Sequence, residues 1–379
     1  MSTMRHDPPQ RFDLTLLDRY TADTFITHEK HPLADLHIYG YYEDSGRPKV
    51  WDPVTRHCRG LILDGEGRVV ERPYEKFFSF RQYIGEDLLL LNDNQVIRIP
   101  PGPFRITEKI DGTMTILYWI GDTPLLSTQR SFINPKAETA TRLLHEKYLD
   151  RAKRLDRRYT WIFEAVYPDT AVLIDYGDTE ELYLIGCIDK KTGRPLPVPD
   201  VGFPRCRDYT AEYGHITRLD ELAALDLPNQ EGFVLYYGDG TMVKVKFPWY
   251  SRAHAVLDRV VANEKSARRN YAELAALEGR GFPVLEKDSV KREVAAALKA
   301  GLSAEEARRL VKASVPGFYE LLGLDRWLDR VLEGSGIAPG KGLPDGLFPA
   351  GDTFDFRERM REPQSYETTM WRWRERWLR

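Results

Sequence analysis

Residues 104–117 read FRITEKIDGTMTIL, with Lys109, Ile110, Asp111 and Gly112 at their centre. Apolar, β-branched runs on either side argue for two strands, and Asp111-Gly112 for a turn between them. A lysine hemmed in by Glu108 and Asp111 is an odd ending for a strand. It is either a solvated turn residue or a nucleophile, and residues elsewhere in the chain have to decide which.

Outward from this point the texture is mostly β between residues 58 and 250. CRGLILD (58–64) and GRVVERP (67–73) read as a hairpin across Gly65-Glu66-Gly67. PLLSTQ (124–129), TWIFEAVY (160–167), AVLIDY (171–176) and ELYLIGCID (181–189) read as further strands. EGFVLYY (231–237) and TMVKVKF (241–247), joined by Gly238-Asp239-Gly240, carry the clearest hairpin signal. Between them PKAETATRLLHEKYL (135–149) has apolar residues at helical spacing and Pro135 near its start. Past Tyr250 the periodicity turns helical over 251–278, 289–300, 303–314 and 317–333, with a capping-box pattern at Ser303–Glu306 and a Gly/Pro-rich stretch at 334–351. The expectation is an α+β fold: antiparallel sheets with flanking helices over residues 1–250, then an all-helical domain over 251–379.

The chain has 379 residues, enough for two or three domains, with 42% hydrophobic and 30% charged residues. No apolar run approaches the ~18 residues of a membrane span. The polar, Pro-containing start MSTMRHDPPQ lacks the apolar core of a secretory signal. Three scattered cysteines, Cys58, Cys187 and Cys206, fit neither a disulfide framework nor a zinc site and suit a reducing cytoplasm. The formal net charge is −3, with the acidic excess before residue 250 and a basic excess after it. A polyanionic partner would therefore be met by local patches rather than by a global field. Nothing calls for a membrane or an obligate protein partner.

Five groups of charged residues stand in or beside strands, where a plain core would not want them: Lys109 with Asp111 and Gly112; Glu164 inside WIFEAV; Glu231 opening EGFV; Lys244 and Lys246 flanking Val245; and Arg59 with Lys76 upstream. Period-2 geometry puts Lys244 and Lys246 on one face. Taken singly, each has an ordinary explanation. A lysine pair of this spacing is usually the wet face of a strand, and a strand glutamate is usually half of an ion pair.

Their order is more informative. KIDG (109–112), FEAV (163–166), EGFV (231–234) and KVK (244–246) resemble the ordered motifs of the covalent nucleotidyltransferases, the DNA ligases, RNA ligases and mRNA capping enzymes. HCRGLILD, RPYEKFFSF, STQRSF and KVKFPWY resemble the phage RNA ligase 1 family in particular, over roughly residues 50 to 255. One departure is Arg130-Ser131, where such ligases often carry a basic residue followed by glycine. The resemblance implies an N-terminal adenylyltransferase domain and an ATP-dependent RNA ligase. Such an enzyme joins 5′-phosphate and 3′-hydroxyl ends through lysyl-AMP and RNA-adenylate, with Mg²⁺ (or Mn²⁺) as metal and a broken tRNA as one candidate substrate. It implies Lys109 as nucleophile, Lys244 and Lys246 as catalytic cations, and Glu231 and Glu164 as metal-binding residues. Arg59 and Lys76 would grip nucleotide phosphates, Arg130 would belong to the nucleotide site, Val234 would lie against the adenine, and the Glu108 backbone and Gly112 would meet the nucleotide.

The chemistry agrees with these types. A lysine nucleophile must be neutral, yet free lysine titrates at about 10.4. Lys244 and Lys246 are expected to disfavour its charged form and then to stabilise the pentavalent α-phosphate. DNA ligase and GTP-dependent capping enzyme are alternatives. The helical texture after residue 250 speaks against them, because they usually carry a β-barrel there. A non-catalytic RNA-binding module is another, disfavoured because all the charged positions are present.

Two further stretches have bland readings. Trp371, Trp373 and Trp377 interleave with arginines, which suits base stacking or simply a terminal helix packed by its aromatic face. RAKRLDRR (151–158) reads as a solvated helix end or as an RNA-facing patch.

Overall fold

The computed structural model describes residues 8–42, 51–83, 88–90, 96–168, 173–251 and 254. In chain order the strands begin with β1 (Ile26–Lys30), β2 (His37–Tyr41), β3 (Arg59–Leu63), β4 (Val69–Glu71), β5 (Phe78–Ser79), β6 (Leu88–Leu90), β7 (Val96–Arg98) and β8 (Phe104–Glu108). They continue with β9 (Thr113–Ile120), β10 (Thr123–Thr128), β11 (Tyr159–Val166), β12 (Glu181–Asp189), β13 (Pro195–Leu196), β14 (Gly232–Tyr237) and β15 (Met242–Lys246). Three sheets carry the fold, in the orders β1-β2-β3-β4, β10-β9-β11-β12-β13 and β5-β15-β14-β8, and β6 pairs with β7 alone. Every named pairing is antiparallel except β15 with β5. The described residues thus form the expected mix of antiparallel sheets and helices. The helices and Trp/Arg stretch expected beyond residue 250, and the domain boundary drawn there, lie outside the described residues. Among the described residues no helix is long and apolar enough to cross a membrane.

Helix α1 (Leu14–Ala22) precedes the first sheet, and α2 (Pro135–Lys153) covers the five-stranded one. The start of α2 is fixed by Asn134, whose side chain accepts the Ala137 N–H at 2.9 Å, and by Pro135 in the first turn. Leu143, Leu144 and Tyr148 of α2 pack with Trp161, Phe163 and Ala165 of β11. The alternate residue Ile162 points the other way, into a cluster with Tyr74, Ile188, Val234 and Met242 that joins the five-stranded sheet to β14 and β15. Glu164 shares that second face by the strand's period of two, so it faces the third sheet.

Two expectations need correction. Asp111-Gly112 is no hairpin turn, because β8 pairs with β14 while β9 pairs with β10 and β11. Lys109–Gly112 is instead the crossover between two sheets. The strand expected over 171–176 is also absent from its described part, residues 173–176. The Asp111 carboxylate accepts the N–H groups of Leu173 and Ile174, and the Asn229 side chain accepts that of Asp175. Side-chain acceptors stand in for a ladder here.

Two glycines let the sheets meet. Gly232 has φ +147°, and a Cβ added there would lie 2.0 Å from the Val245 carbonyl oxygen. At Gly112 an added Cβ would lie 2.6 Å from the Ala165 carbonyl, where the crossover enters β9 beside β11. Gly232→Ala therefore combines left-handed strain with a backbone clash. It is expected to cost at least ~2 kcal/mol, read as a lowered urea midpoint at constant slope; an unchanged midpoint would contradict the clash.

Candidate active site

The sheet β5-β15-β14-β8 assembles the cluster. Lys109 follows the last residue of β8, and its N–H donates to the Gly232 carbonyl at 2.9 Å. Across β14 and β15, Gly232 pairs with Lys246 and Val234 with Lys244. The side chain of Glu231 thereby meets both lysines. Lys109 Nζ donates to Glu231 Oε2 at 2.7 Å, and Lys246 Nζ lies 2.8 Å from Oε1. Glu231 keeps only 2% exposure, while Lys109 and Lys246 retain 22% and 30%. Burial alone would push the Glu231 carboxyl up, but the two ammonium groups hold it below its ordinary value.

The parallel β15–β5 pairing sets Lys244 opposite Ser79 and so brings the preceding residues Lys76 and Phe77 alongside. The Lys244 ammonium and the Arg59 guanidinium stand 4.9 and 5.0 Å from the Phe77 ring centroid. Lys76 Nζ sits among the rings of Tyr41, Trp51 and Phe78, at 4.8, 4.9 and 5.6 Å. Burial first, then Arg59, Lys76, Lys109 and Lys246, depress the Lys244 amine well below its ordinary value. Arg59 Nε and Nη1 are buried and unpartnered among the described residues. Five cations thus crowd together, Lys244 among Arg59, Lys76, Lys109 and Lys246, while the carboxylates of Glu231, Glu164 and Asp111 act on Lys109. Such an excess suits an anionic ligand, and orphaned guanidinium nitrogens suit phosphate oxygens.

Lys109 itself behaves differently from the expectation. Burial opposes its charge, yet Glu231, Glu164 and Asp111 together hold its amine above the ordinary lysine value. Lys244, not Lys109, is the depressed amine. The physical reason is distance: Glu231 bonds Lys109 directly, whereas the cations act from farther away. Among the described residues Glu164 bears no such ion pair, and burial pushes its carboxyl up to about 7.

The other expected residues are accounted for as follows. Val234 lies on the Lys244 and Lys246 face but is 8% exposed, packed with Ile162 and Ile188. The Glu108 N–H is taken by the Arg207 carbonyl at 2.8 Å. Gly112 meets Ala165, so its missing side chain has a packing reason of its own. Arg130 is exposed, its stem crossing Gly40, the β2 residue opposite Arg59.

The sequence marks Asp111 only as part of the KIDG motif and does not single out Phe77, Tyr176 or Tyr250. Asp111 is buried; besides Leu173 and Ile174 it accepts from the Tyr250 hydroxyl at 2.9 Å, and its own N–H donates to the Tyr176 hydroxyl at 2.8 Å. It pins the Lys109 crossover from three directions. An aromatic residue just before a strand reads as core, so only the cations around Phe77 could have marked it.

The profile of the RNA ligase family matches residues 57–250, which spans every charged residue of this cluster. The chain belongs to that family. A protein of Thermovibrio ammonificans, provisionally named an RNA ligase, is 35% identical over 225 residues, covering 55% of each chain. RNA ligase 1 of bacteriophage TS2126 is 27% identical over 207 residues, covering 52% of this chain and 49% of its own. The chain spans about half the length of the curated relatives it matches. An archaeal ATP-dependent RNA ligase superposes with a TM-score of 0.42 and 14% identity, over 85% of this chain and 77% of its own, too loosely to argue from.

Because Glu231 stabilises the Lys109 ammonium, Glu231→Gln is expected to lower the pH at which Lys109 reacts with an amine-selective reagent, read by peptide mapping across a pH series. Unchanged or higher-pH reactivity would contradict the electrostatic reading.

Proposed function

We propose that this chain is an ATP-dependent RNA ligase, with an adenylyltransferase-type domain over residues 1–250 and a helical RNA-specificity module over 251–379. The observation that carries the reading is the Lys109–Glu231–Lys246 bridge at the centre of a cation-rich cluster, within a chain of the RNA ligase family. Its substrates are RNA ends bearing 5′-phosphate and 3′-hydroxyl, a cleaved tRNA among them. The unpaired cysteines, two of them buried, suit a reducing compartment, and we assign the activity to the cytoplasm.

In the first step Lys109 Nζ attacks the α-phosphorus of ATP; a phosphoramide bond forms and pyrophosphate leaves in line. Lys109 must shed its proton beforehand, and Lys246, competing for the same Glu231 carboxylate, weakens the hold that keeps it charged. Lys244 and Arg59, already crowded by like charges, favour the triphosphate and the charge that grows on it. Lys76 adds to that field, and Arg130 stands at its edge. The Glu108 backbone and Val234 line the base side, with Gly112 beneath. The AMP then passes to the RNA 5′-phosphate, and the 3′-hydroxyl finally displaces AMP. Glu231 and Glu164 are two carboxylates beside the cations of the cluster, hard oxygen donors that would hold Mg²⁺ or Mn²⁺. A metal held there would supply further positive charge against the nucleotide phosphates.

Incubation with Mg²⁺ and α-labelled ATP is expected to leave label on the denatured protein. Lys109→Ala should abolish it, and Lys246→Ala should slow it at least ~100-fold. Label from GTP would reassign the chain to capping chemistry, joining of DNA in preference to RNA would make it a DNA ligase, and no label on the wild type would sink the enzyme reading.

A further inference from the structure

At the end of the five-stranded sheet away from Lys109, three connections lie side by side. These are the β9–β10 turn, the passage from α2 into β11, and the β12–β13 turn. Antiparallel pairing puts them on one edge, since β9 and β12 end there while β10, β11 and β13 begin there. They also touch. Arg157 donates to the Gly121 carbonyl at 3.1 Å, and the Lys190 N–H donates to the Arg158 carbonyl at 3.2 Å. The Arg157 guanidinium and the Lys190 ammonium stand 5.2 and 5.8 Å from the Trp119 ring centroid.

This edge is strongly basic. Counting Asp122, residues 150–158 and residues 189–194, eight lysines and arginines face four aspartates. Arg157 and Arg158 are taken up by Asp122 and Asp156, and Lys190 by the buried Glu71 at 2.7 Å. Lys153, Arg154, Lys191 and Arg194 are exposed and make no ion pair among the described residues. Asp189, the acid beside Lys191, already accepts the Thr192 N–H at 2.7 Å. Cations in the last turn of α2 have a helix-dipole explanation, which covers Lys153 and Arg154. It does not reach Lys191 and Arg194, which sit on a turn between strands.

We infer that this edge grips the phosphodiester backbone of the RNA being joined, using Lys153, Arg154, Lys191 and Arg194 at a distance from the reacting ends. The inference rests on the RNA ligase reading. From Tyr159 to Glu164 runs five residues of extended chain, so the edge lies ~17 Å from the cluster, a few nucleotides away. Basic side chains that contact phosphates fix position and add affinity without reading bases, so the edge serves binding rather than chemistry or sequence choice.

The test uses the full chain and a dye-labelled, 5′-phosphorylated RNA hairpin with a single-stranded end, with anisotropy followed across a salt series. Lys153→Ala/Arg154→Ala and Lys191→Ala/Arg194→Ala are made separately and combined. The combined variant is expected to bind at least ~10-fold more weakly and to show a log-affinity against log-salt slope shallower by ~2 to 3, while label uptake from ATP stays at the wild-type rate. Each double variant should show part of the effect, which guards against misfolding of either one. Unchanged affinity and slope in the combined variant, with label uptake intact, overturn the patch. Loss of label uptake by the wild-type chain overturns the ligase reading instead.

Discussion

Glu231 is a buried carboxylate held between two ammonium groups, and the site depends on that bridge. Taking a carboxylate out of water costs several kcal/mol unless well-placed partners answer it. Here each oxygen has one, and hydrogen bonds to charged groups contribute ~1.5–3 kcal/mol apiece. The partners come from different strands, Lys109 from the end of β8 and Lys246 from β15, so the bridge exists only while β8, β14 and β15 stay in register. Register is protected in turn by Gly232, whose backbone passes too close to Val245 for any side chain. A one-residue slip would turn Lys244 and Lys246 to the opposite face.

Around this bridge the cations crowd one another. Lys244 carries the strain most visibly, with its amine depressed by burial and by four neighbouring positive charges. Phe77 partly offsets the crowding by offering its ring to Lys244 and Arg59 together. A site loaded with like charges in the absence of ligand is poised to gain from an anion, since the relief of repulsion adds to the attraction. The same site holds Lys109 charged. Lys109, the proposed nucleophile, is therefore restrained where an anion would be attracted, and Glu231 links the two effects.

Much of this arrangement is legible along the chain. The turn Gly238-Asp239-Gly240 and the spacing of Lys244 and Lys246 identify a hairpin with two ammonium groups on one face, and α2 follows from its periodicity and Pro135. The crossover at Lys109–Gly112 is not legible, because nothing in a strand-turn-strand pattern says which sheet the second strand joins. Residues 173–176 look like a strand by composition, but the N–H groups of Leu173, Ile174 and Asp175 are taken by the distant side chains of Asp111 and Asn229. The sequence predicts a depressed Lys109 amine, and the structure raises it, for the same reason. Its charge state is set by a 2.7 Å contact with a residue 122 positions away, and spacing carries no such distances. Family membership, resting on the match over residues 57–250, agrees with the motif order but says nothing of these local energies.

Lys109 and Lys246 share the Glu231 carboxylate, and Lys109, rather than Lys246 or Lys244, is the proposed site of covalent modification. Digestion of the protein after exposure to ATP and Mg²⁺, followed by mass spectrometric mapping of the adduct, tests it directly. The account predicts AMP on the peptide bearing Lys109, with Lys244 and Lys246 unmodified. An adduct on Lys244 or Lys246, with Lys109 free, would contradict it.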